Sequence, residues 1–283
     1  MKPAIDRPMT QKSILITGCS SGIGLASARL LRGRGWRVLA TARTEPDAAR
    51  LVHEVGVEAL HLDLADPKSI AACAEEALRL TDGQLDAVFN NGAYGQVGAV
   101  EDLPPEVLRR QLEVNVIGTH DLTRRLIPSM RANGHGRIVQ CSSVLGFVSV
   151  PYRGAYCASK YALEALSDAM RHELRGTGIH ISIIEPGPIR TRFVEHALAN
   201  FRTTIDIDGS AHRDTYRARL AAMEQGGKST FKLEPEAVAW KLVHAVESAK
   251  PKRRYMVTVP TYLAAAGRRL FPAPLADWLA QRI

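Results

Sequence analysis

The feature that most restricts this chain is an alternation, repeated over almost its whole length, of short apolar runs with longer stretches of helical periodicity. SILIT (13–17) precedes a helical pattern from Ile23 to Leu31, RVLATA (37–42) one from Asp47 to Val55, and EALHLD (58–63) one from Pro67 to Leu80. DAVFN (86–90) leads into Pro105 to Met130 and RIVQCSS (137–143) into about Ala155 to Leu174. HISIIEP (180–186) is followed by about Pro235 to Ser248, and RYMVTV (254–259) comes last. Strands followed each time by a crossover helix form a parallel sheet. These strands are runs of Val, Ile and Leu with little polar alternation, as expected where helices cover both sheet faces. The expected fold is therefore α/β, a doubly wound parallel sheet with helices on both faces, in a single domain spanning residues 1–283.

Two stretches depart from the rhythm. Residues from about 190 to 233 mix Gly, Thr, Asp and Arg with isolated aromatics, and an excursion of that length in a compact domain reads as a substrate lid. From about 260 to 283 runs a C-terminal extension punctuated by Pro260, Pro272 and Pro274. MVTVPTYLAAAG is apolar but shorter than the roughly 20 residues of a spanning helix. Its flanking Lys252, Arg253, Arg254, Arg268 and Arg269 leave a peripheral membrane contact open beside the plainer reading of a packed terminal element. MKPAIDRPMT lacks the apolar stretch of a signal peptide, and Cys19, Cys73, Cys141 and Cys157 show neither CxxC pairing nor metal-ligand spacing. A cytoplasmic protein with reduced thiols and no metal is expected. The net charge of +8 comes from dispersed basic residues with few interleaved aromatics, which argues against nucleic acid and suits an anionic cofactor.

The first run enters Thr17-Gly18-Cys19-Ser20-Ser21-Gly22-Ile23-Gly24, which opens a helix. Glycines there allow a tight turn and close backbone approach to a pyrophosphate, and the helix N-terminus supplies free N–H groups and a favourable dipole. This is the context of a Rossmann-type dinucleotide site. Where NAD-binding folds often place a carboxylate for the ribose 2′-hydroxyl, the second strand ends in Ala40-Thr41-Ala42-Arg43. A carboxylate would repel the 2′-phosphate of NADP, whereas Arg43 can pair with it, so NADP (NADPH) is the expected cofactor. Glu45 and Asp47 lie just downstream and keep NAD as the alternative. Asp63 and Asn90-Asn91-Gly92-Ala93 end the third and fourth strands, at the carboxyl edge where ligands of open α/β sheets bind.

Tyr156 and Lys160 stand four residues apart in a helical pattern, on one face and a turn apart. Lowering a tyrosine pKa from about 10 to about 7 costs about 4 kcal/mol, and one cation at about 4 Å with an effective dielectric near 20 contributes about that much. The pair can thus serve as proton donor and activator, although the same spacing also makes ordinary surface pairs.

Five ordered motifs place this pair in company. Over about residues 12 to 260 the chain resembles the short-chain dehydrogenase/reductase family: Thr17 to Gly24 match its TGxxxGxG loop, Asn115-Val116-Ile117-Gly118 its NVxG motif, and Tyr156 and Lys160 its YxxxK pair. Ser143 matches its catalytic serine and Pro186 to Thr191 its PGxxxT segment, while Gly92-Ala93 inverts the Ala-Gly order usual after the fourth strand. TGCSSGIG, YCASKYALEALSDAMRHEL and EPGPIRTRF are most similar to the branch of 17β-hydroxysteroid and retinol dehydrogenases, and within it to a bacterial NADP-dependent aldehyde reductase. The resemblance implies an oxidoreductase in which Tyr156 exchanges the proton, Lys160 lowers its pKa and binds the nicotinamide ribose, and Ser143 hydrogen-bonds the reacting oxygen. Asn115 would hold a relay water. Gly18, Ser20, Ser21, Ile23, Gly24, Arg43, Asp63, Leu64, Asn91, Gly92, Ala93, Tyr156, Lys160, Pro186, Gly187, Ile189 and Thr191 would line the cofactor site, with Ile189 and Thr191 at the carboxamide. It also implies a homodimer or homotetramer through long helices such as that from Pro105 to Met130.

The substrate pocket is expected to be closed by Phe193, Phe201, Tyr216 and Phe231, with Phe147, Val150 and Tyr152 beyond the catalytic serine, which favours an apolar carbonyl or alcohol. Reduction of aldehydes or ketones is the leading expectation and dehydrogenation of a bulky lipophilic alcohol, steroid or retinoid, its alternative. A non-catalytic NADP-binding regulator is the third reading, whose mark would be loss of the tyrosine, lysine or serine.

Overall fold

Each of the seven apolar runs forms a strand: β1 (Ser13–Ile16), β2 (Arg37–Ala42), β3 (Glu58–His61), β4 (Ala87–Asn90), β5 (Gly136–Cys141), β6 (Ile179–Glu185) and β7 (Arg254–Met256). In this computed structural model, which describes residues 11–224, 231–270, 272 and 275, the strands are all parallel in the order β3-β2-β1-β4-β5-β6-β7. The order reverses beside β1, so the crevice between the carboxyl ends of β1 and β4 is the topological switch point.

Side chains alternate across the sheet. Ile14, Ile16, Val38 and Phe89 point to one face and pack with Ala28 and Leu31 of α1 (Gly22–Gly33) and, from a later helix, Leu242 and Val246. Leu15, Leu39, Val88 and Ile138 point to the other, against Ile70 and Ala74 and against Leu122 and Leu126. Full burial of each such side chain contributes about 1.5–3 kcal/mol, so losing register by one residue would exchange both cores at once.

Two helical patterns differ from expectation. The second begins earlier, because Thr44 caps α2 (Glu45–Arg50) by accepting a hydrogen bond from the Asp47 N–H, and it closes with a π-turn over Leu51–Val55. After α3 (Pro67–Leu80), the pattern from Pro105 to Met130 divides into α4 (Pro105–Leu112), a π-turn (Glu113–Gly118) and α5 (Thr119–Ala132). A side chain on Gly118 would meet the Leu64 carbonyl oxygen at 2.0 Å, so glycine is required for the bulge to lie against the chain leaving β3. The helix α6 (Gly154–Glu173) carries the tyrosine and lysine. The excursion after residue 190 holds α7 (Phe193–Thr204) and α8 (Arg213–Glu224), then α9 (Glu236–Glu247) returns to the sheet. Of the C-terminal extension, α10 (Val259–Leu270) is described, with Thr261 fully buried; the reading of its remainder, apart from residues 272 and 275, falls outside the described residues.

Candidate active site

The turn from β1 into α1 makes a cradle in which side chains have been removed. Gly18 has φ +70°, and a Cβ on Gly24 would lie 2.1 Å from the Gly18 carbonyl oxygen. Ser21 is the N-cap of α1 in extended conformation, yet its hydroxyl makes no cap bond, and no acid occupies the first turn of the helix. N–H groups, dipole and hydroxyl are therefore available to an anion.

The walls of the cradle are tied by short bonds. Thr17 Oγ1 accepts from the Asn91 N–H (2.9 Å) and the Gly92 N–H (2.7 Å), and the Asn91 amide donates to the carbonyls of Thr17 (3.0 Å) and Gly18 (3.1 Å). Asn91 thus clamps the loop through its side chain. Glycine at 92 has a local cause, because an added Cβ would press on Leu64 at 3.1 Å and on the Thr17 hydroxyl at 3.2 Å. The half-buried Asp63 accepts from the Ala65 N–H (2.9 Å), an Asx-turn that shapes the chain beside the cradle.

At the end of β2, Arg43 is exposed and has no acidic partner among the described residues. Asp47, by contrast, is held by Thr44 (2.9 Å) and Arg50 (2.9 Å), and Arg50 also reaches the Ser20 carbonyl. Arg50 has no mark in the sequence, because an arginine in a helix carries no pattern that reveals which loop it holds.

On the opposite wall, Pro186 is buried and its carbonyl accepts from the Val144 N–H (2.8 Å), fixing the turn after Ser143. A Cβ on Gly187 would collide with the Thr258 hydroxyl at 2.1 Å, so this glycine admits the buried Thr258–Thr261 pair. Ile189 packs on the sheet core, while the Thr191 methyl lies within 2.9 Å of a Cβ built on Gly22 and so borders the cradle.

The chemistry-bearing side chains meet above β5. Lys160 is buried, its Nζ donating to the Cys141 carbonyl (2.7 Å) and lying 5.6 Å from the Tyr156 ring centroid. Ser143 caps a short turn by accepting from the Leu145 N–H (3.1 Å). Asn115, in the π-turn, is fully engaged: its Oδ1 accepts from the Tyr94 N–H (3.0 Å), and its amide donates to the Tyr94 carbonyl (2.9 Å) and to Ser159 (3.1 Å). Burial drives the Tyr156 phenol well above its ordinary range, with a hydroxyl contact from Ser143 pulling the other way. Burial likewise lowers the Lys160 pKa, against the attraction of Glu164. Burial of both groups thus opposes the activation that Lys160 is expected to give Tyr156.

Beneath Lys160 lies a buried charge cluster that sequence reading missed. Arg254 of β7 bonds Glu164, Glu185 (3.1 Å) and Asp168 (2.7 Å). Burial and the neighbouring Glu164 push Glu185 up to about 7.

Tyr156 also forms part of the wall of an apolar cavity of about 750 Å³, counted to its open mouth. The segment Gly95–Gly98 and Tyr152 line it together with Phe193, Leu198 and Phe201 of α7 and Tyr216 and Leu220 of α8. The Tyr156 and Phe193 rings are 5.3 Å apart. Three expected lining residues are corrected. Phe147 and Val150 lie outside the cavity, Val150 packing with Leu145 and Cys157, and Phe231 is 53% exposed. Tyr152 is held at φ +65°, a conformation costly for a tyrosine, with its carbonyl accepting from the Gly98 N–H (2.9 Å).

Comparison with known proteins agrees with this geometry. Residues 12–201 match the family profile described as short chain dehydrogenase. The uncharacterized oxidoreductase YbbO of Escherichia coli (strain K12) is 43% identical over 271 residues, which cover 96% of this chain and 94% of that protein. Human 17-beta-hydroxysteroid dehydrogenase type 1 is 34% identical over 261 residues, covering 88% and 78%. A short-chain dehydrogenase structure from Streptomyces avermitilis superposes with a TM-score of 0.80 at 29% identity, covering 96% and 97%. The doubly wound sheet, the glycine cradle at its switch point and these relatives together establish that the chain belongs to the short-chain dehydrogenases and is an oxidoreductase of that family.

Proposed function

We propose that the protein reduces an aldehyde or ketone on an apolar body, with NADPH as cofactor and Tyr156 as proton donor. The observation that carries this reading is the double position of Tyr156, in the wall of the apolar cavity and one helical turn from the buried Lys160. Bound NADPH supplies the hydride. Tyr156 Oη gives its proton to the carbonyl oxygen as charge develops there, and Ser143 Oγ donates a hydrogen bond to the same atom. Because burial keeps the phenol protonated at neutral pH, the proton needed for reduction is in place, whereas alcohol oxidation calls for the phenolate and favours alkaline conditions. Lys160 holds a cation beside the phenol and reaches the nicotinamide ribose. Asn115 holds the relay water that links Lys160 to solvent.

The Gly18–Gly24 cradle and the Ser21 hydroxyl, which makes no cap bond, fit a dinucleotide pyrophosphate, and Asp63, Leu64, Asn91, Gly92 and Ala93 border its adenosine half. Arg43 without an acidic partner, and Asp47 engaged by Arg50, support NADP over NAD. Pro186, Gly187, Ile189 and Thr191 close the nicotinamide side. Four buried free cysteines suit a reducing compartment such as the cytoplasm, and no described helix is long and apolar enough to cross a membrane. Exposed Ile117 and Leu166, on the π-turn and on α6, support self-association through these helical stretches.

A second reading, dehydrogenation of a bulky lipophilic alcohol, is favoured by the similarity to the human 17-beta-hydroxysteroid dehydrogenase together with the apolar cavity. Consumption of NADPH and NADH by purified protein over aldehydes, ketones, steroids and retinal separates the two. Turnover of aldehydes or simple ketones with NADPH is expected; turnover confined to steroids or retinoids establishes the second reading, and a preference for NADH refutes the role of Arg43.

A further inference from the structure

The cavity that takes the substrate is lined mostly by apolar and aromatic residues; its polar lining is the buried Gln96, whose amide is engaged by Val97 and Thr204, and Arg153 and Arg219, which are both exposed. Among the described residues, no aspartate or glutamate lines it. Several acids of the surrounding segments are engaged elsewhere: Glu101 with His212 (2.6 Å), Asp102 with Ser210 and Tyr216, Asp208 with Arg217 (2.7 Å), and Glu195 with Arg192 (3.3 Å). Neither Arg153 nor Arg219 has a carboxylate partner among the described residues, whereas Arg192, Arg213 and Arg217 do.

The two guanidinium groups are also positioned. Arg219 stacks over the Tyr152 ring, 4.5 Å from its centroid, and that ring is set by the left-handed backbone of Tyr152 and flanked by Tyr216 at 5.8 Å. Tyr216 in turn is buried and anchored through its hydroxyl to Asp102, so α8 presents Arg219 from a fixed point. Arg153 is the residue preceding α6, three positions before Tyr156. A stacked guanidinium keeps its N–H edge free for a planar oxyanion.

From this arrangement we infer that the substrate is amphipathic, a carbonyl on an apolar chain whose far end bears an anionic group, held at the cavity mouth by Arg219 and Arg153. This rests on the carbonyl-reductase reading and narrows its substrate class to oxo-compounds with a carboxylate or similar oxyanion terminus.

The test uses pairs of straight-chain aldehydes of equal length, one ending in a methyl group and the other in a carboxylate, across a series of lengths with NADPH. At the matching length the carboxylate member should show about tenfold higher kcat/KM, mostly through KM, and the advantage should shrink at high salt. In Arg219→Ala the carboxylate-to-methyl ratio should fall towards one, with Arg219→Lys keeping part of it and Arg153→Ala giving a smaller decrease. Equal handling of both members at every length by the wild type, or a ratio unchanged in Arg219→Ala and Arg153→Ala, overturns the inference while leaving carbonyl reduction intact. Absence of turnover with every aldehyde overturns the carbonyl-reductase reading itself, and the inference with it.

Discussion

The two ends of the site are held by different means. At the cofactor end every bond tying the cradle has backbone on at least one side, met by the Thr17 hydroxyl, the Asn91 amide and Arg50, and the Gly24 position leaves no room for a single carbon. At the substrate end the contacts are between side chains: Phe201 and Tyr216 lie 5.0 Å apart and pack with Ala99 and Ile205, and helices α7 and α8 meet the rest of the chain largely through such rings. A wall of backbone tolerates few residues at each position, whereas a wall of interdigitated apolar side chains accepts many of similar volume. The first can serve one ligand shape across a family and the second can be refitted to different substrates.

That difference is open to attack, most severely at Gly24. Gly24→Ala should raise the Kd for NADPH more than a hundredfold, since accommodating the methyl must displace the Gly18 carbonyl, a rearrangement costing about 3 kcal/mol or more. Fluorescence titration with NADPH, with circular dichroism as a check on folding, measures it.

A second test concerns the charge cluster of Arg254, Glu164, Glu185 and Asp168. Glu185 is raised from an ordinary carboxylate value to about 7, so folding favours its protonated form. Its contribution is complete below about pH 4.5 and is lost as pH rises through about 7, a change of up to about 3 kcal/mol. Thermal unfolding from pH 5 to pH 8 should therefore show this component of stability falling. Glu185→Gln should flatten it and raise Tm at pH 8 relative to wild type; a wild-type difference that is pH-independent contradicts the raised pKa.

Arg43→Ala should cost about 2 kcal/mol in kcat/KM for NADPH, roughly thirtyfold, and leave NADH nearly unchanged. Smallest, and at the other end, Phe193→Ala should change relative kcat/KM among substrates of different bulk by about tenfold while the Kd for NADPH stays at the wild-type value. A comparable loss of NADPH binding in Phe193→Ala would break the division between the two ends.

The same division explains what was legible in the sequence. The strands could be read because both faces of the sheet are covered, which makes them uniformly apolar, and the cradle because only glycine fits at Gly18 and Gly24. The π-turn at Glu113–Gly118 was hidden because one extra residue per turn hardly disturbs an apolar period. Helices α7 and α8 escaped notice because they bury few side chains, Ala197 and Phe201 on the first and Tyr216 on the second. Phe231 was misplaced because nothing in an isolated aromatic tells which way it faces. For Tyr156, spacing reveals the neighbouring cation but not the burial that raises the phenol and lowers the lysine together. The cluster of Glu164, Glu185 and Arg254 joins residues from three elements and leaves no local pattern.

In the proposed reaction one hydroxyl, that of Tyr156, delivers the proton. Steady-state reduction of an accepted aldehyde by Tyr156→Phe, with NADPH affinity measured on the same protein, tests it most directly. A fall in kcat of about 10²–10⁴ with the Kd for NADPH preserved is the predicted result; undiminished turnover by the phenylalanine variant contradicts it.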